Sequence, residues 1–243
     1  MSTPAALRRA ARIGPYFVVR LDVERGAWRP FDDLLDATVL AANVDAVAQS
    51  LARRAGVPAA ELDRRACAST YFLGLASGLV APALGAAALA GHVPSFERGS
   101  LRWQRADVGP LPLAITEANG GEVHGVDVTN SGQAAAALHA EVIDTVVAPL
   151  EAALEATFSL SPQVLWGNVA SAVAGAATML RLSAEPTRLD PHALAEAVTS
   201  RGSLAGTGTW TSTGFVRTNC CLFYRVPGGG ICGDCVLTTT THR

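Results

Sequence analysis

Hydrophobic residues recur at helical spacing through much of the chain. Between residues 31 and 54 the apolar side chains follow one another at intervals of three and four, which places them on one face of a helix. The same spacing predicts a helix over residues 133–158 and another over 162–182. Two further helix starts are predicted from proline, one at Pro58 and one at Asp190-Pro191, where an N-cap precedes a first-turn proline.

Residues 66–96 contain no charged side chain, and an apolar run of that length can cross a bilayer. Alanine supplies much of the run, and glycine and proline interrupt it at Gly74, Gly78, Pro82, Gly85 and Gly91. A run broken this often is more typical of packed core helices than of a membrane span. We expect a buried central pair of helices, with a transmembrane segment as the alternative.

After residue 99 the spacing of apolar residues changes from the helical period to every second position. Residues 101–103 and 111–115 place apolar side chains at every second position on either side of a Gly109-Pro110 turn, as two antiparallel strands would. A third strand is predicted near residues 123–128, after the turn residues Asn119-Gly120-Gly121. The whole pattern predicts an α+β fold: a mostly helical body, a small antiparallel sheet and a cysteine-rich C-terminal segment.

Composition narrows the classes of function. The 243 residues are 49% hydrophobic, which allows a substantial core, and the net charge of −2 argues against a nucleic-acid partner. All 19 basic residues are arginine, so a lysine Schiff base and a phosphate-loop lysine are excluded. Near the N-terminus, Arg8, Arg9 and Arg12 are not followed by a long apolar stretch, so we expect a protein that stays in a reducing cytoplasm.

The cysteines carry the strongest chemical signal. Four of the five form the pattern Cys220-Cys221, ten further residues, then Cys232-Gly233-Asp234-Cys235. A Cys-x-x-Cys step presents two thiolates to one metal, and a second pair completes a four-sulfur shell suited to zinc or to an iron–sulfur cluster. Disulfides are the alternative, and they suit small secreted domains better. Cys67 lies alone in the apolar run and is predicted to be a small buried hydrophobe.

The chain is predicted to divide into a substrate-binding body, residues 1–205, and a C-terminal metal-binding segment, residues 206–243. Between them, residues 200–218 are rich in glycine, serine and threonine and form the expected hinge, with a short strand at Phe215-Val216. Pro227-Gly228-Gly229-Gly230 is expected to bend the chain so that the second cysteine pair meets the first. Adjacent Cys220 and Cys221 would point to opposite faces of a regular strand, so both can serve one site only if the backbone turns there.

Two arginines lie close in sequence to the cysteines. Four thiolates and two sulfides around two ferric ions carry a net charge of about −2, which becomes about −3 on one-electron reduction. Arg217 and Arg225 are expected to lie next to the cysteine ligands and to stabilise that extra negative charge. The alternative is that both are ordinary surface residues.

At these residues the chain resembles the FhuF-type ferric siderophore reductases. The resemblance rests on the double cysteine, the ten-residue gap and the closing Cys-Gly-Asp-Cys, with Tyr224-Arg225-Val226-Pro227 between the pairs and Leu237 after them. Weaker similarity extends to Leu165-Trp166-Gly167-Asn168 and Tyr71-Phe72-Leu73-Gly74. The resemblance implies that four cysteines bind a [2Fe-2S] cluster and form the redox centre: Cys220, Cys221, Cys232 and Cys235.

The resemblance also implies a reaction, the one-electron reduction of siderophore-bound iron(III) in the cytoplasm. No bond of the siderophore has to break, and the chain has no dinucleotide fingerprint, phosphate loop or hydrolase motif. Electrons are therefore expected from a partner: a ferredoxin, a flavodoxin-like carrier or a flavin reductase. We expect a monomer, and peripheral association with the inner face of the membrane is compatible with this function.

Two functions of other classes remain open. The same thiolates could form a structural zinc module, or the protein could carry siderophore or electrons without turnover. The histidines are scattered, and each is predicted to be a capping or surface residue: His92, His124, His139, His192 and His242.

Overall fold

The computed structural model describes residues 2–21, 23, 28–106, 109–116 and 123–239. Its α-helices are α1 Thr3–Ala10, α2 Ala37–Ala55, α3 Arg64–Ala90, α4 Ser131–Leu138, α5 Ala148–Phe158, α6 Pro162–Leu182 and α7 Pro191–Thr199. Its strands are β1 Val19–Arg20, β2 Arg29–Pro30, β3 His92–Pro94, β4 Leu101–Trp103, β5 Leu113–Ile115, β6 Gly125–Asp127, β7 Gly208–Thr211 and β8 Gly214–Arg217. The predicted α+β class is confirmed.

Helix α3 is the centre of the fold. It is 27 residues long, begins after the N-cap Asp63 and ends at Gly91, which adopts a left-handed conformation. It packs against α1, α2, α5 and α6. Its apolar window has a mean hydropathy of 1.8, enough for a membrane span, but 83% of that window is buried inside the protein. The structure is that of a soluble protein with one buried apolar helix.

The prediction of a helix pair over residues 66–96 is wrong, because α3 continues through Pro82 as one helix. Gly74, Gly78 and Gly85 lie within the helix, and Gly85 serves close packing. A Cβ at Gly85 would lie 2.9 Å from the Phe17 ring and 3.0 Å from the Cβ of Ala10. A side chain there would push α1 and the turn after it away from the core.

Two predicted helix starts also differ from the structure. Phe31–Leu35 forms a 3₁₀ helix, and α2 begins only after Asp36, whose carboxylate accepts hydrogen bonds from two backbone amides of the first turn. Pro58 opens only the 3₁₀ turn Ala59–Glu61. Asp63 then caps α3 in the same way. In α2 and α3, the aspartate N-cap therefore sets where the helix begins, and Pro58 does not.

The later helices follow the prediction closely. α6 spans Pro162–Leu182 as expected, and Asp190 caps α7 by accepting a hydrogen bond from the Ala193 amide at 2.7 Å. The helix predicted over residues 133–158 is continuous, but His139–Val147 within it is a π-helix. Such segments free a carbonyl group locally, and here the carbonyl oxygen of Glu141 accepts from the amide of Phe96 at 3.2 Å.

The strands form three small sheets, one of four strands in the order β1-β5-β4-β2 and two of two strands. The predicted antiparallel pair β4–β5 is confirmed, with Trp103 opposite Leu113. The third predicted strand exists as β6 but pairs with β3, which the sequence pattern missed. The predicted turn at residues 119–121 lies outside the described residues. Strand β8 contains the predicted Phe215-Val216, and its partner β7 was not foreseen.

Candidate metal centre

The cysteine segment begins where strand β8 ends, and it is held against two helices. The Arg217 amide donates to the carbonyl oxygen of Asp234 at 3.0 Å, so the start and the end of the segment lie side by side. The Ser69 hydroxyl of α3 donates to the carbonyl oxygen of Cys221 at 2.7 Å. The Ser171 hydroxyl of α6 donates to the Asp234 carboxylate. Both cysteine pairs are therefore positioned by the helical body.

The two cysteine pairs meet in the structure. The Sγ atoms of Cys221 and Cys232 are 3.5 Å apart, and Cys220 is close enough to Cys235 for their charges to interact. Cys221 and Cys235 are buried, whereas Cys220 and Cys232 are half-buried. All five cysteines, including Cys67, are free thiols.

The backbone turns sharply after the double cysteine. Leu222 has a φ of 69°, in the left-handed region, so Cys220 and Cys221 do not belong to a regular strand. The turn lets the Leu222 amide donate to Cys220 Sγ at 3.3 Å, and the Leu237 amide donates to Cys235 Sγ at 3.4 Å. Amides that point at sulfur stabilise the negative charge of a metal-bound thiolate.

The contact between Cys221 and Cys232 shifts the pKa values of both thiols. A hydrogen bond from Cys232 lowers the pKa of Cys221 to about 6, and the Arg217 charge adds to the shift. The same hydrogen bond raises the pKa of Cys232, and burial raises that of Cys220. Cys221 is therefore the more acidic thiol of the pair.

The structure brings one cysteine of each pair together, Cys221 and Cys232. Among the described residues, no three His, Cys, Asp or Glu side chains are grouped around the position of one metal ion. A structural zinc places four ligands around a single ion, whereas a [2Fe-2S] cluster divides four thiolates between two irons.

Arg217 is a buried residue and not a surface arginine. Its side chain is 2% exposed, and it donates to Asn168 Oδ1 at 2.8 Å and to the carbonyl oxygen of Val164 at 3.2 Å. Its Nε–H is buried and has no hydrogen-bond partner in the part of the chain that the structure describes. A Cβ at Gly167 would lie 2.7 Å from an Arg217 nitrogen, so only glycine leaves room for the guanidinium beside α6.

Asn168 and Ser69 connect Arg217 to the cysteines. Asn168 is fully buried, and its amide nitrogen donates to Ser69 Oγ at 2.9 Å and to the Ser69 carbonyl oxygen at 3.0 Å. Because Ser69 also holds Cys221, a chain of hydrogen bonds runs from the guanidinium to the cysteine backbone. Sequence reasoning noted Asn168 only by resemblance and missed Ser69. The sequence signal was weak, because each of these apolar helices also contains other polar residues, such as Thr70 in α3 and Ser171 in α6.

Arg225 lies elsewhere in the segment. It is exposed, its guanidinium forms an ion pair with Asp63 at 2.8 Å, and it also contacts Tyr224. The hydrogen bond from Arg225 lowers the pKa of Asp63. Arg225 therefore ties the segment to the N-terminus of α3, and much of its charge is compensated there.

The remaining candidates lie apart from the cysteines. Cys67 is fully buried in the apolar core, as predicted. His92 is buried and hydrogen-bonds to Thr3 and Asp127, and His139 is buried and contacts the carbonyl oxygen of Val198. The prediction of a capping or surface role is wrong for His92, whereas His139 caps the last turn of α7 through that carbonyl. His242 lies outside the described residues.

The comparisons with known proteins agree with this geometry. Residues 217–237 match the family described as the FhuF 2Fe-2S C-terminal domain. No curated protein matches the chain. The matched residues run from the buried Arg217 to Leu237, whose amide donates to Cys235, and they include all four cysteines of the segment. The resemblance is thus confirmed for the cysteine segment: residues 217–237 match the FhuF 2Fe-2S C-terminal domain, which indicates a [2Fe-2S] cluster as the cofactor.

Proposed function

We propose that the protein reduces siderophore-bound iron(III) to iron(II) in the cytoplasm. The observation that carries this proposal is the meeting of the two cysteine pairs inside the segment that matches the FhuF 2Fe-2S domain. When bound, the cluster supplies a one-electron redox centre. The four cysteines would hold this centre, and one electron that it receives from an external donor would convert iron(III) to iron(II). Siderophores hold iron(II) far less tightly, so the metal can then exchange.

The four ligands in this proposal are Cys220, Cys221, Cys232 and Cys235. Cys221 and Cys232 would share one iron, because a tetrahedral metal with bonds of about 2.3 Å holds its thiolates roughly 3.8 Å apart. Their Sγ atoms are already 3.5 Å apart. Cys220 and Cys235 would then hold the other iron, each with a backbone amide donating to its sulfur.

Arg217 would stabilise the negative charge that arrives with the electron. Its guanidinium is buried, held in place by Asn168, and close enough to the thiols to affect the pKa of Cys220 and Cys221. The Nε–H has no hydrogen-bond partner among the described residues and would donate to a sulfur atom of the loaded site. Arg225 would contribute less, because Asp63 neutralises it.

The electrons would come from an external donor such as a ferredoxin, a flavodoxin-like carrier or a flavin reductase. The half-buried Cys220 and Cys232 face outward, and exposed apolar side chains lie next to the cysteines in the segment, among them Tyr224 at 49% and Ile231 at 56% exposure. Exposed apolar groups around a redox centre suit a transient docking partner.

The proposal is tested by measuring iron(II) release from a ferric siderophore with a ferrous chelator, under anaerobic conditions with dithionite as donor. We expect release by the wild type and by Cys67→Ala, and background release by Cys221→Ala. Equal release by wild type and Cys221→Ala would contradict the proposal. A wild type that takes up an electron but never passes it to the ferric siderophore would identify a carrier instead.

A further inference from the structure

Arg217 is a buried cation whose hydrogen-bond partners, in the part of the chain that the structure describes, are neutral. Its guanidinium donates to Asn168 Oδ1 at 2.8 Å and to the carbonyl oxygen of Val164 at 3.2 Å, and it forms no ion pair with a described carboxylate. Asp234 contacts Arg217 through its backbone carbonyl, while its carboxylate accepts from Ser171. Charged side chains are almost never fully buried unless they are paired, so Arg217 needs a counterion.

A second neutral group lies beside the guanidinium. A Cβ at Gly167 would lie 2.5 Å from Asn219 Oδ1 and 2.7 Å from an Arg217 nitrogen, so both atoms approach α6 at the same glycine. The Asn219 amide nitrogen donates to the carbonyl oxygen of Gln163, and its buried Oδ1 has no hydrogen-bond partner among the described residues. Two asparagines therefore border the charge, where an aspartate in either place would neutralise it.

The orientation of the Asn168 amide is fixed from both sides. Arg217 can only donate, so it faces the amide oxygen, whereas the Ser69 carbonyl oxygen can only accept and faces the amide nitrogen at 3.0 Å. A carboxylate at position 168 would turn an acceptor toward that carbonyl oxygen and would also neutralise the guanidinium. A neutral amide satisfies both neighbours and leaves the charge of Arg217 in place.

The guanidinium is thereby held next to the cysteine segment. Arg217 lies three residues before Cys220, and its amide donates at 3.0 Å to the carbonyl oxygen of Asp234, the residue before Cys235. Four thiolates and two sulfides around two ferric ions carry a charge of about −2. A group of that charge in the cysteine segment supplies the compensation that the protein does not give to Arg217.

We propose that Asn168 is a positioning residue that holds Arg217 beside the cysteines without neutralising it, so that the iron–sulfur cluster is the counterion of Arg217. The inference rests on the proposed function, because it requires the four cysteines to hold the redox centre. The cluster then experiences the whole effect of the buried positive charge. A carboxylate at position 168 removes that effect, and loss of the amide lets the guanidinium move away from the cysteines.

The reduction potential of the purified holoprotein, titrated by visible absorbance, tests the proposal. Asn168→Asp keeps the size of the side chain and gives Arg217 a permanent counterion, so we expect a shift to lower potential comparable with that of Arg217→Gln. Asn168→Ala removes the support of the guanidinium, and we expect a smaller shift in the same direction. Asn43→Ala is the matched control, because it removes another buried amide, one that donates to Tyr71, and it should leave the potential unchanged.

A double-mutant cycle separates positioning from a purely structural role. If Asn168 acts through Arg217, the shift caused by Asn168→Ala disappears in an Arg217→Gln background. An equal shift in both backgrounds would overturn the proposal, and so would a wild-type potential in Asn168→Asp. Where Asn168→Ala does not retain a cluster, the Asn168→Asp result decides, since that variant keeps the shape of the side chain.

Retention of the cluster gives a second readout. Because the oxidised cluster is also negative, we expect an iron chelator to remove it about tenfold faster from Asn168→Asp and Arg217→Gln than from the wild type, the usual size of effects from residues that support metal ligands. Neither measurement uses a siderophore. These shifts in a protein that never reduces ferric siderophore would leave the counterion and remove the reductase function. Iron(II) release together with wild-type potentials in every Asn168 variant would do the reverse.

Discussion

Arg217 shows how one residue can link the helical body to the redox site. It is buried beside the cysteines with one N–H unpartnered, and glycine at position 167 makes room for it. Its place in the sequence, three residues before Cys220, suggested proximity to the site. Its burial could not be foreseen, because burial depends on α6, which lies far away along the chain.

We expect Arg217→Gln to lower the reduction potential of the cluster. At an effective dielectric of about 20 and an assumed separation of about 6 Å, one charge contributes roughly 2–3 kcal/mol, or on the order of 100 mV for one electron. Arg217→Lys should retain part of this effect because it keeps the charge. A redox titration followed by visible absorbance measures the shift.

Arg225→Gln is the comparison, since Arg225 is exposed and already paired with Asp63. We expect a clearly smaller shift than for Arg217→Gln, because exposed charges are screened by solvent and by their partners. Similar shifts in the two variants would show that burial of Arg217 does not matter to the potential.

Gly167→Ala tests the close approach of Arg217 to α6. The new methyl group would lie 2.5 Å from Asn219 Oδ1 and 2.7 Å from an Arg217 nitrogen, so the guanidinium must move. We expect a loss of about 1–3 kcal/mol in the free energy of unfolding, the usual cost of overpacking. Gly175→Ala on the exposed face of the same helix has open space and should be neutral or slightly stabilising. Equal stability of both variants in urea denaturation would refute the crowding.

At the scale of elements, local patterns predicted helices well and pairings poorly. The apolar spacing and Pro162 located α6, because amphipathic periodicity and first-turn proline act within a few residues. The pairing of β6 with β3 was missed, because strand partners are chosen by contacts distant in sequence. Gly85 was misread as a break in α3, since a buried helix can use a glycine for close packing.

The placement of the four cysteines in one segment leads to a prediction about iron content. Alanine at any of Cys220, Cys221, Cys232 or Cys235 should reduce bound iron and acid-labile sulfide severely, because one of the two irons would lose a thiolate. Cys67→Ala is the control and should keep the full iron content, as Cys67 is buried in the core of α3. Iron and acid-labile sulfide, measured in each purified variant, test this prediction. Loss of iron in Cys67→Ala alone would show that the wrong four cysteines were chosen.

The whole molecule buries its most apolar helix inside the fold, which leads to a prediction about extraction. Helix α3 passes the length and hydropathy tests for a span, yet most of it is covered by the other helices. We expect the protein to be recovered without detergent after cell lysis, and salt-releasable membrane association would agree with a peripheral location. Recovery only from detergent extracts would contradict the placement of α3 in the core.

At the same scale, the four cysteines and their chemistry could be predicted from spacing and resemblance, whereas the support around them could not. Ser69 and Asn168 are separated by most of the chain's helical body and meet only in the folded protein. A cavity beside α3 likewise combines residues from α2, α3 and the segment after β4. A one-dimensional pattern contains no information on which distant helix faces meet.

The most direct test of the proposed function counts electrons. The protein is reduced without air, freed of excess reductant and mixed rapidly with a ferric siderophore, while visible absorbance follows the cluster and a ferrous chelator follows iron(II). The account predicts that each cluster loses one electron as one iron(II) appears, with the same time course. Reduced protein that keeps its electron in the presence of ferric siderophore would contradict it.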